Sequence, residues 1–199
     1  ADYLSAGIAA AGSGLDVTLD GKVFTARSYK DQISMSIPLA DGLKVSLTAR
    51  EASGGRGAGA ANATGVAPTQ RDNTISLDYA AGSLVVNAGY RTYDGTDSTS
   101  NTIASSLNRA SVSYDLGVAK VGAGYVATLY GYGNTQTDTL VGVSAPFNGL
   151  TIGAQVGYRV KAGNSSSASN TTRAGTVINA SYPLSKQTSL VGGYYTYDE

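Results

Sequence analysis

The chain has 199 residues, enough for one domain of ordinary size, with fourteen basic and fourteen acidic side chains in balance and neither Cys nor His. Missing Cys excludes disulfides and thiolate metal sites. Missing His removes the usual general base, and the even charge balance offers nucleic acid no basic footprint. Charged residues are only 14% of the chain, yet fourteen Tyr and zero net charge argue against disorder. No stretch approaches the ~18 consecutive apolar residues of a transmembrane helix, so any membrane crossing must use strands.

The opening 28 residues are weakly patterned. Ala6 to Gly14 is rich in Ala and Gly, and Leu15 to Arg27 reads either as a hairpin turning at Asp20-Gly21 or as a loop that folds inward. Periodicity does not separate those two readings.

From about Tyr29 the sequence alternates with period two, which predicts five hairpins. In the first, Ile33, Met35 and Ile37 alternate with polar residues, Pro38 to Gly42 turns the chain, and Leu43, Val45, Leu47 and Ala49 return. The second runs from about Asn73 to Tyr93 with its turn at Ala80-Ala81-Gly82. The third runs from about Arg109 to Leu129 and turns at Asp115-Leu116-Gly117. The fourth runs from about Thr137 to Lys161 and turns at Pro146 to Gly149. The fifth runs from about Arg173 to Tyr197 and turns at Pro183 to Lys186. Longer polar connections are expected at Glu51 to Gln70, Asp94 to Asn108 and Ala162 to Thr172. Short turns at one end and long polar loops at the other suit an outer-membrane barrel.

Alternation also sorts the side chains. One set is apolar, including Ile75, Leu77, Leu84, Val86, Val112, Val121, Val141, Val143, Ile152 and Val156, and it holds no charge. Aromatic residues recur on it in pairs eleven or twelve apart: Tyr79 and Tyr90, Tyr114 and Tyr125, Phe147 and Tyr158, Tyr182 and Tyr194. Tyr settles at the lipid–water boundary, so these are candidates for an aromatic girdle. The opposite set carries Lys30, Lys44, Arg50, Asp78, Arg91, Arg109, Asp115, Lys120, Arg159, Lys161 and Arg173. A lumen lined by these mostly basic side chains would favour anions. If the opening stretch folds into the lumen, Asp2, Asp16 and Asp20 would face the basic wall, with Arg27, Lys30 and Arg50 opposite them. A soluble sheet with a solvated charged face is the competing reading, but it needs a second layer to cover the apolar face, and no helical segment supplies one.

Other chemistry is sparse. Gly54 to Gly59 lacks phosphate-loop and dinucleotide spacing, and reads as a loop. Asp94 and Asp97 form a weak candidate for Ca²⁺, with a solvated loop as the bland alternative. No other cofactor is expected.

Three stretches then carry a resemblance: Asp72 to Tyr79, Val141 to Phe147 followed by Leu150 to Gln155, and Ala180 to Lys186. In order and spacing the chain resembles the general porins of Gram-negative outer membranes, of the trimeric sixteen-stranded proteobacterial type. The resemblance implies an all-β transmembrane antiparallel barrel, with residues 1–199 as part of a single barrel domain holding about ten strands. Residues 1–28 would correspond to the inward-folded constriction loop, with five family strands before it and a last strand after the chain. Arg27 and Lys30 would match part of the family's basic cluster. It further implies a homotrimer in outer-membrane lipid and lipopolysaccharide that passes small hydrophilic solutes and ions passively, without catalysis. The alternative is a structural or adhesive barrel with a filled lumen and partner-binding loops. An outer-membrane lipid enzyme is disfavoured, because Ser activation there normally needs a base and the chain has no His.

Overall fold

A computed structural model describes residues 32–50, 71–94, 104–163 and 170–197. Ten strands fill most of these segments: β1 (Gln32–Ala40), β2 (Leu43–Arg50), β3 (Asp72–Ala81), β4 (Leu84–Tyr93), β5 (Ala104–Asp115), β6 (Lys120–Tyr130), β7 (Thr135–Phe147), β8 (Leu150–Ala162), β9 (Thr171–Pro183) and β10 (Ser189–Tyr197). They pair in chain order as one antiparallel meander, and β1 and β10 each have a single neighbour among the described residues.

The sequence explains the turns. At Asn148-Gly149 both residues have positive φ, 48° and 81°, the geometry of a two-residue hairpin whose twist matches the flanking strands. Gly42 closes the first hairpin at φ 73°, and its carbonyl accepts from the Ala80 amide of β3 at 2.8 Å. Two of the described prolines sit where a missing N–H costs little. Pro38 lies on the edge strand β1 at a register shift, and Pro146 lies beyond Ser144, the last residue of β7 paired with β6.

Several boundaries differ from the sequence reading. β5 begins at Ala104, so residues 104–108 belong to a strand rather than to the preceding loop. Apart from Leu107 the residues there are small or polar, which mimics loop composition. Pro146 and Phe147 end β7 instead of turning the chain, and the turn at Gly82 is two residues, 82 and 83. The β6–β7 connection is only residues 131–134, although it lies at the long-loop end, so the loop asymmetry is incomplete.

Burial is inverted relative to a water-soluble sheet. The side chains hidden on the strands are mostly polar, among them Asp72, Ser76, Ser113, Asp138, Gln155 and Arg159. Among the described residues only Val126 and Leu140 form a buried apolar cluster, with Leu107 packed against them. The other face shows Ile33, Leu77, Val141, Val143, Ile152 and Ile178 to its surroundings. No helix among the described residues is long and apolar enough to cross a membrane, which leaves open a crossing by strands.

Candidate functional site

Register assigns every strand side chain to a face. Because Lys44 pairs with Asp78, Arg50 with Asp72, Gly89 with Arg109, Asp115 with Lys120 and Arg159 with Arg173, these residues share one side of the sheet. Arg91 joins them opposite Thr74, Asp138 opposite Arg159, and Lys161 opposite Gln136. Every charged residue within the ten strands therefore lies on this inner face: Lys44, Arg50, Arg91, Arg109, Lys120, Arg159, Lys161 and Arg173 against Asp72, Asp78, Asp115 and Asp138. Eight cations against four carboxylates leaves a basic surplus.

The charges gather into two networks. In the first, Asp72 on β3 is 2% exposed and lies between two guanidiniums, with Arg50 Nη1 at 3.4 Å and Arg91 Nε at 3.7 Å. Arg91 also donates to Thr74 Oγ1 at 3.0 Å and stacks over the Tyr93 ring, 5.9 Å from its centroid. In the second, Arg159 Nε donates to Asp138 Oδ1 at 2.6 Å, and Gln136 Nε2 donates to the other carboxylate oxygen at 2.9 Å. Tyr130 donates to Gln136 Oε1 at 3.4 Å and extends the chain toward the end of β6. Nearer the short turns, Lys44 and Asp78 form a more exposed pair at 3.5 Å.

Sequence reasoning named the basic members of these networks and missed Asp72 and Asp138. Asp72 shares the parity of Asp78, so alternation alone could have found it. Asp138 was harder, because the outer positions beside it are Thr137 and Thr139 and the inner position after it is Leu140, which blurs the apolar alternation.

The aromatic candidates all fall on the outer face. Their spacing is unequal once the register is known. Tyr79 stands opposite Val86, so Tyr90 is four residues further along, ~13 Å at the rise of a strand. Phe147 stands opposite Leu150, so Tyr158 is eight residues further, ~26 Å. Equal sequence intervals hide turns placed at different points between the two rings.

Asp2, Asp16, Asp20, Arg27 and Lys30 lie outside the described residues, as does the whole of the suggested constriction loop, 1–28. Asp97 does too. Its suggested Ca²⁺ partner Asp94 is described, and its amide donates to the Arg71 carbonyl at 2.9 Å. Among the described residues no cluster of three metal-ligating side chains occurs.

A polar, charge-bearing face hidden behind an exposed apolar one is the arrangement that lipid outside and water inside require. No curated protein matches the chain. The family model for Gram-negative porins matches residues 2–199, nearly the full length. The chain thus belongs to the Gram-negative porins, channel proteins of the bacterial outer membrane.

Proposed function

We propose that the inner face of this sheet is the wall of a water-filled channel through which small hydrophilic solutes and ions diffuse passively, with a preference for anions. The observation that carries this reading is the sorting of strand charges: all twelve in the described strands stand on the inner face and none on the outer apolar one. Hydrocarbon outside would penalise a basic residue by about 2–4 kcal/mol near mid-membrane, whereas water inside accepts it. The surplus of Lys and Arg supports the anion preference, because a low-dielectric wall focuses the field of uncompensated charge into the aqueous path. Nothing in this proposal requires catalysis.

The opening 28 residues, in this proposal, narrow the channel and set Asp2, Asp16 and Asp20 against the basic wall. The assembly is a homotrimer in outer-membrane lipid and lipopolysaccharide. The girdle residues, led by Phe147 and Tyr158, hold the barrel at the two interfaces.

Planar-bilayer recording of the intact porin tests the reading. Stepwise openings with a reversal potential on the anion side in a KCl gradient are expected. A silent bilayer would favour a barrel with a filled lumen. Openings without anion preference would remove the role given to the basic surplus while leaving the channel in place.

A further inference from the structure

Gly89 on β4 pairs directly with Arg109 on β5, and both face inward. A Cβ built at Gly89 would stand 2.9 Å from Arg109 Nε and 3.4 Å from its Cγ. The arginine stem therefore runs from β5 back across β4, through the space that the missing side chain leaves. Gly89's partner on β3 is Ser76, which is short and buried, so the lane continues across a third strand. The neighbours along β4 bond away from it. Asn87 Nδ2 donates to Ser111 at 3.5 Å, and Arg91 donates to Thr74 at 3.0 Å. In the opposite direction Arg109's partner is Val126 of β6, and the carboxylate beyond it, Asp138 of β7, is already held by Arg159 and Gln136.

We propose that Gly89 is a positioning residue. By presenting no side chain it lets Arg109 lie flat on the wall, and so sets both the local bore and the distance of that charge from passing solutes. The proposal deepens the channel reading and rests on it for its consequence, though the arginine's position can be read without conduction. A methyl group at position 89 displaces the Arg109 side chain, since under 3.0 Å the flexible partner has to move, and in this proposal it moves off the wall. A lifted guanidinium narrows the path and brings its charge closer to the permeating ions. Without Arg109, alanine in the middle of a strand is no worse than glycine.

The experiment uses the intact porin in four forms: unaltered, Gly89→Ala, Arg109→Ala, and both together. Gly89→Ala should lose single-channel conductance and shift the reversal potential further toward anions. In the Arg109→Ala background the same change should do neither. Equal effects in both backgrounds, or none in either, would overturn the proposal. Labelling of folded protein with phenylglyoxal, read by mass spectrometry at Arg109, gives a second measure and should be faster in Gly89→Ala. If the unaltered protein conducts no ions, the channel reading falls, and the labelling rates alone decide where Arg109 lies. Should Gly89→Ala not fold, recovery of folding in the double variant shows the same steric coupling, and failure of both variants to fold rejects it.

Discussion

At the scale of single residues, the inner face holds charges that are more compensated than their number suggests. Asp138 and Arg159 are 4% and 8% exposed and meet at 2.6 Å. Taking two charges out of water is costly, and their attraction offsets that cost only while both are present. Arg159→Ala should therefore lower unfolding stability by about 3–5 kcal/mol, because it strands a hidden carboxylate on Gln136 alone. Arg159→Ala combined with Asp138→Asn should lose clearly less. Urea titration of the folded protein in detergent checks this, and equal losses would mean the pair is not coupled. Asp72 differs, since its two arginines keep about a fifth of their side-chain surface in contact with solvent. Asp72→Asn should cost only about 1–3 kcal/mol, as both guanidiniums can rehydrate. It should also move the reversal potential toward anions, because it removes one of four inner carboxylates. An unchanged potential would place this cluster off the conducting path.

At the scale of strands and hairpins, the period-two pattern made the fold legible. A residue slipped by one would send Val141 inward and Asp138 outward, so a buried charge and an apolar surface jointly fix the register. The sequence therefore revealed β3 and β8, where apolar and polar residues alternate, and also β4 and β6, although Val85 and Val126 point inward. It concealed the start of β5, where Leu107 is the one large apolar residue between Ala104 and Asn108 and points inward, and it left β7 ambiguous where Leu140 points in and Thr137 and Thr139 point out. Pairs such as Arg50–Asp72 were unreadable for another reason. Their members are twenty-two residues apart, and only the register of β2 on β3 brings them together. Two element-level outcomes follow from this. Val141, in the middle of β7 and 56% exposed, should not accept a charge: Val141→Lys should cost about 2–4 kcal/mol in refolding into lipid vesicles. Ser36→Lys, on the inner face in the middle of β1 and exposed, should refold normally. Equal penalties would mean the outer face does not meet hydrocarbon. Gly42→Ala should weaken the first hairpin, because its Cβ would fall 2.0 Å from the Ala80 carbonyl oxygen and the residue sits at φ 73°. Faster hydrogen exchange in β1 and β2 and at the Ala80 amide of β3, with the remaining strands unchanged, is the expected signature.

At the scale of the whole molecule, the basic surplus acts as a field rather than as separate contacts. Lys161 and Arg173 stand on the same wall as the two paired networks with no carboxylate opposite them in register, so the basic surplus is spread along the wall instead of sitting at one point. A spread field reaches ions in the lumen only over the screening distance of the salt solution. That distance is about 10 Å at 0.1 M and about 3 Å at 1 M. At the lower concentration the wall charge extends well into the aqueous path. At the higher one it is confined to ions touching the wall. The anion preference should accordingly be largest in dilute KCl and decline steeply by 1 M, while conductance rises with ion concentration. A preference that holds constant across this range would mean that selection occurs at a tight contact site, where screening has no room to act. The long-range role of the basic wall would then have to be abandoned in favour of a narrow local filter.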